Sequence, residues 1–117
     1  MKLALMAALI AACNAVQAHS PLQSTSPAAD AVLQQAPEML RLTFGRPARV
    51  TKVMLSHKRG NDKTLSRLEI PTKSFAREFV LTPKSSGAGT YTVQWRALGQ
   101  DGHVMKGKYS FTVSRPQ

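Results

Sequence analysis

The chain alternates apolar and polar positions in short segments, the period-2 signature of strands that bury one face. In the first clear segment Leu40, Leu42 and Phe44 fall on one side, with Arg41 and Thr43 on the other. Val53 and Leu55 continue the pattern, followed by Leu68 with Ile70 and by Phe79 with Leu81. The longest run is Tyr91, Val93, Trp95 and Ala97, answered by Tyr109, Phe111 and Val113. A weaker segment spans Leu22 to Ser26. Turn chemistry separates them at Gly45-Arg46-Pro47, at Arg59-Gly60-Asn61-Asp62 and from Ser85 to Gly89. A long first connection runs from Ser26-Pro27 to Ala36-Pro37, with a helical turn expected over Ala31 to Gln35, and Gly99 to Gly107 reads as a loop. No stretch carries the 3.6-residue period for three helical turns. About seven short strands at this spacing predict an all-β domain, a small antiparallel Greek-key sandwich or barrel of immunoglobulin-like type.

The N-terminus reads differently. Met1-Lys2 leads into the apolar run Leu3 to Ala12, and Val16-Gln17-Ala18 puts small side chains where a signal peptidase wants them. Residues 1–18 are therefore expected to be a secretory signal peptide, cut after Ala18. The apolar run is too short for a transmembrane helix, which needs ~20 residues. Cleavage leaves residues 19–117, one domain, and chains of this size bury somewhat over ~60% of their unfolded surface without needing staples. The single cysteine, Cys13, lies in the leader, so the mature domain is expected to hold neither a disulfide nor a thiolate site. A competing reading uses that cysteine: Ile10-Ala11-Ala12-Cys13 loosely matches the pattern before a lipidated cysteine, and processing there would leave His19 internal.

Cleavage after Ala18 changes the candidate chemistry. It makes His19 the first residue, whose free α-amine and imidazole Nδ1 can close a chelate ring on one metal ion. Asp101-Gly102-His103 supplies a second imidazole with a carboxylate two positions away. Two imidazoles, an amine and a carboxylate suit tetragonal Cu(II), one ion per chain. Each piece also has a plainer reading. Asp-Gly is a common turn pair, and an isolated histidine on a β domain is usually surface decoration, the reading given to His57. Trp95, Tyr91 and Tyr109 read as core side chains, and Met105 as an ordinary loop methionine.

The net charge is +10, from 16 Lys and Arg against 6 Asp and Glu. Such an excess often marks nucleic-acid binding. Here the basic residues are scattered along the strands and the chain is expected to be exported, so no nucleic-acid partner is expected. The excess reads as a solvated cationic face, or as attraction to anionic lipid or to an acidic partner loop.

Several landmarks occur in order: His19 behind a signal peptide, Ser26-Pro27-Ala28, Ala36-Pro37 before a strand ending in Phe44, Gly89 to Arg96, Asp101-Gly102-His103, and Gly107 to Val113. In this the chain resembles the CopC family of periplasmic copper-binding proteins, including its YobA-type members. The resemblance spans nearly all of residues 19–117, and the block from Gly89 to Val113 is its specific part. It implies a cupredoxin-like or immunoglobulin-like β-barrel that carries copper in the periplasm, beside an integral inner-membrane partner of the CopD type. It implies His19 and His103 as copper ligands, with Asp101 either a weak ligand or the group that orients an imidazole. Two departures matter. Some members carry an acidic residue near copper where this chain reads Gly45-Arg46. Others hold Cu(I) in a methionine-rich central loop, whereas His57 to Glu69 contains no methionine and Met39, Met54 and Met105 are widely separated.

Three functions stand against one another. The first is a non-enzymatic Cu(II) carrier or buffer serving copper homeostasis or resistance. The second is an enzyme, because an N-terminal histidine chelate with a second imidazole is also the copper brace of lytic polysaccharide monooxygenases. Against it, the few aromatic residues are needed for the core. The third is a metal-free immunoglobulin-like interaction module. No Ser/His/Asp triad, phosphate loop or catalytic carboxylate pair can be assembled.

Overall fold

The computed structural model describes residues 22–84 and 87–114. They form seven strands: β1 Leu22–Ser26, β2 Val32–Leu33, β3 Leu40–Arg59, β4 Asp62–Arg67, β5 Ala76–Leu81, β6 Gly89–Gly99 and β7 Val104–Val113. No helix among them is long and apolar enough to cross a membrane.

The organising element is β3. Its first part, Leu40 to Phe44, pairs with β1 and β5, and its later part, Ala48 to Arg59, pairs with β6 and β4. β7 extends that second layer from β6, and β2 closes it as a short parallel addition. One strand thus serves both layers, the way a strand turns a corner between packed sheets. The expected turn at Gly45-Arg46-Pro47 is not a reversal. The chain stays extended there, and the β3–β5 register shifts between Thr43 and Ala48. Glycine and proline both tolerate an extended corner, so their presence marked the bend but not its direction.

A bulge then resets the alternation. The register against β6 shifts between Val50 and Lys52, leaving Thr51 and Lys52 both exposed. Buried positions therefore change from even (Leu40, Leu42, Phe44, Ala48, Val50) to odd (Val53, Leu55). Thr51 Oγ1 donates to the Arg96 carbonyl at 3.2 Å across this irregularity.

The core lies between the layers. Phe44 meets Phe79 edge-on at 5.8 Å and Trp95 edge-on at 5.4 Å. Trp95 is 4% exposed, so its expected core role holds, and Tyr91 and Tyr109 are buried with it. Full burial of one such side chain is worth about 1.5–3 kcal/mol. Tyr91, near the start of β6, donates its hydroxyl to the Gly87 carbonyl at 2.7 Å. This is the corner contact that immunoglobulin-like sandwiches use to fix a strand entry.

Three local expectations differ from the structure. Leu68 and Ile70 are not a strand: β4 ends at Arg67, and Leu68 is buried beyond it, its N–H donating to the Val53 carbonyl at 2.9 Å. β4 itself is mostly exposed, so it lacks the alternation that reveals a strand. Ala31 to Gln35 is not helical. Val32 and Leu33 pair with Thr112 and Val113, and tertiary pairing outweighs local preference there. Val104 to Gly107 belongs to β7, which puts Met105 on a strand, half-buried against the core.

Candidate metal site

The β6–β7 connection is short. β6 ends at Gly99 and β7 resumes at Val104, so Asp101-Gly102-His103 sits on a hairpin tip. The Gly99 N–H donates to the His103 carbonyl at 2.9 Å, and the Gly102 N–H to the Gly99 carbonyl at 3.0 Å. Gly102 has φ +85°, a conformation side chains rarely adopt, so the turn depends on its lacking one. A Cβ on Gly99 would lie 2.7 Å from Asp101 Oδ1, so glycine there leaves the carboxylate its place.

Asp101 folds back over the loop. Its Oδ1 accepts the His103 backbone N–H at 3.0 Å, and its Oδ2 accepts from His103 Nδ1 at 2.8 Å. The backbone N–H first, and the imidazole second, hold the Asp101 carboxyl below its ordinary range. Ionised, it can only accept, so the proton between them belongs to Nδ1. That fixes the tautomer and leaves Nε2 with a free lone pair on a side chain 84% exposed. A carboxylate behind one imidazole nitrogen, with the other open, is how proteins orient a metal-binding histidine.

The described residues supply two of the three expected site residues. His19 lies outside them, as do Cys13 and the rest of the leader. Among the described residues no group of three or more His, Cys, Asp or Glu gathers at one place. The register shows where the chain enters, however. At Ala48, β3 has β5 on one side (Ala76) and β6 on the other (Gly99). β1 lies opposite β5, on the same side of β3 as β6. β1 starts at Leu22 beside Phe44 and β6 ends at Gly99 beside Ala48, so these two ends point toward each other along one side of β3.

His57 is not decoration. Its ring stacks on Tyr91 at 4.1 Å and 7°, and Tyr91 stacks in turn on Phe111 at 5.1 Å and 6°. Its Nε2 lies 2.8 Å from the Ala88 carbonyl, which can only accept, so Nε2 donates. The signal was present in the sequence: Val53, Leu55 and His57 share the inward face. It is a packing histidine, distinct from the pair at the hairpin tip.

Comparison with known proteins follows the same outline. The family model described as "CopC domain" matches residues 22–114. Copper resistance protein C of Escherichia coli is 30% identical over 104 residues, covering 82% of this chain and 82% of that protein. Protein YobA of Escherichia coli K12 is 36% identical over 107 residues, covering 84% of this chain and 81% of that protein. Among solved structures, CopC from Methylosinus trichosporium OB3b superposes with a TM-score of 0.65 at 29% identity, covering 85% of this chain and 97% of that one. PcoC, a methionine-rich copper resistance protein from Escherichia coli, gives 0.64 at 29%, covering 83% and 100%. With the family model spanning every strand from β1 to β7, the chain belongs to the CopC domain family.

Proposed function

We propose that this protein is a periplasmic Cu(II) carrier or buffer, exported by residues 1–18 and acting without catalysis in copper homeostasis or resistance. One Cu(II) is held by the α-amine and imidazole of His19 and by Nε2 of His103. Asp101 serves from behind, fixing the His103 tautomer through Nδ1. The observation that carries this reading is the Asp101–His103 contact at 2.8 Å, which spends Nδ1 on the carboxylate and presents Nε2. The relatives' names, copper resistance protein C and PcoC, supply the metal.

Chain geometry supports the third partner. Phe44 and Ala48 are about 13 Å apart along an extended strand. The three residues from Leu22 back to His19 reach up to about 10 Å, from an end that points at the hairpin. Delivery is to an integral inner-membrane partner of the CopD type. A monooxygenase would need an aromatic platform for sugar, whereas Trp95, Tyr91 and Tyr109 are buried in the core.

The test is the mass of the exported protein's N-terminus together with a Cu(II) titration of that same species. The expected result is a chain starting at His19 that binds one Cu(II), not displaced by equimolar Zn(II), as the Irving–Williams order requires of such ligands. His103→Ala should weaken binding far more than His57→Ala. Equal losses, or displacement by zinc, would refute the assignment.

A further inference from the structure

The outward face of β3, β6 and β7 carries positive charge in an arrangement that packing does not explain. Lys52 pairs with Arg96, and Arg96 with Lys106, so three cations stand side by side across three strands. In the next row Gln94 stands between Met54 and Lys108, with Arg67 of β4 beside Met54. None of the chain's Asp or Glu residues lies at an outward position of these strands. Like charges directly opposite one another destabilise a sheet. The ion pairs among the described residues, Arg41–Glu78 and His103–Asp101, lie elsewhere.

The face is also shaped. Lys52, Met54, Gln94, Arg96, Lys106 and Lys108 line a groove of about 460 Å³. Toward the hairpin tip the next outward row is Arg49, Leu98 and Val104, with Val104 66% exposed. The groove therefore leads to the loop bearing Asp101 and His103.

We propose that this groove is a docking surface for an acidic segment of a partner protein, seated so that the partner meets the β6–β7 hairpin. Charge complementarity selects carboxylates, and the half-buried Met54 between the cations accepts an apolar side chain among them. A recessed groove fits a peptide better than a lipid surface. Membrane binding by contrast relies on apolar side chains gathered on one face that enters the bilayer, and here Leu65 and Val104 stand at opposite ends of the face. The proposal does not depend on the copper ligands, and its test separates the two.

The probe is a labelled synthetic peptide repeating Glu-Glu-Leu, with a Gln-Gln-Leu counterpart, followed by fluorescence anisotropy on the mature protein. Binding of the acidic peptide alone is expected, weakening as salt rises. The double variant Lys52→Glu, Lys106→Glu should bind at least ~10-fold more weakly. The charge-matched double variant Lys73→Glu, Lys84→Glu should bind as the parent does. Both should keep parental Cu(II) affinity. The first converts the cationic row to Glu–Arg–Glu and is expected to melt no lower than the parent, so its loss would not be a folding defect. Lys108→Glu, on the same groove, repeats the test in a second background. No peptide binding, or equal losses in the two double variants, would overturn the proposal. So would variant-sensitive binding to phosphatidylethanolamine/phosphatidylglycerol vesicles without peptide binding, which would make the face a membrane surface instead.

Discussion

Asp101 grips His103 twice, through the imidazole Nδ1 at 2.8 Å and through the backbone N–H at 3.0 Å. The two contacts do different things. The backbone contact shapes the hairpin tip, and the imidazole contact chooses the tautomer. Asp101→Asn separates them, because an amide oxygen can keep the backbone contact while the NH2 faces Nδ1. A donor there favours the Nε2–H tautomer, which cannot bind a metal through Nε2. Cu(II) affinity by isothermal calorimetry should fall by ~10–100-fold, the usual cost of losing such an orienting partner. Thermal stability should barely change at so exposed a position. Unchanged affinity would mean that the carboxylate does not set the tautomer.

The three methionines among the described residues do not converge. Met39 is 56% exposed ahead of β3. Met54 lies on the outward face of β3, and Met105 packs inward against the core. Cu(I) prefers soft thioether clusters, and these side chains stand on different faces. Ascorbate with a moderate Cu(I) chelator should therefore strip the metal rapidly, read as the chelator's absorbance. A tight stoichiometric Cu(I) complex would contradict this placement.

Much of the fold was legible because alternation survives wherever one face is buried. Leu40 to Phe44, Tyr91 to Ala97 and Tyr109 to Val113 all lie on strands as expected. The failures have distinct physical origins. Thr51 adds one residue and inverts the parity of β3, and two expected strands are one strand bent between layers. β4 is exposed on both faces and shows no pattern. His57 is legible as an inward position by the parity of Val53 and Leu55, although its residue type alone suggests the surface. In the candidate site, the Asp101–His103 pairing follows from a two-residue spacing around glycine. That β1 begins on the side of β3 where β6 ends is a matter of register, which no local pattern reveals.

Tyr109 provides a stability test independent of metal. Its hydroxyl is buried with no hydrogen-bond partner among the described residues. Burial pushes its pKa up from the ordinary 10.0 to about 12. Below pH 10 both folded and unfolded chains keep the proton, and the stability is fully present. Between pH 10 and about 12 the unfolded chain loses it first, so the folded state binds more protons and stability falls as pH rises. A two-unit difference corresponds to about 2–3 kcal/mol. Tyr109→Phe should flatten much of that alkaline decline, with the remainder coming from Tyr91, whose pKa burial also raises. At neutral pH the variant should equal the parent or gain about 1 kcal/mol, because an unpaired buried hydroxyl is removed. Urea melts at neutral and alkaline pH measure both effects, and a variant clearly less stable at neutral pH would show that the hydroxyl has a partner.

The strongest test of the proposed site changes no side chain. If the α-amine of His19 is a ligand, affinity depends on where the mature chain begins as well as on its residues. Adding one residue before His19 preserves both imidazoles, Asp101 and the whole core from Leu40 to Val113. It removes the free amine and the chelate ring that amine closes with the imidazole. Cu(II) affinity should then fall by orders of magnitude, while the apo-protein's unfolding free energy stays within about 0.5 kcal/mol of the parent's, as for any surface change. The pH dependence should change too. Metal must displace a proton from an amine as well as from imidazole in the parent, but only from imidazoles in the extended chain, so acid should release fewer protons' worth of affinity from the latter. Competition titrations at several pH values measure both quantities on the same two proteins. Equal affinity in the two would leave copper on an ordinary internal histidine pair, and would return Cys13 lipidation to contention as the way this chain is processed.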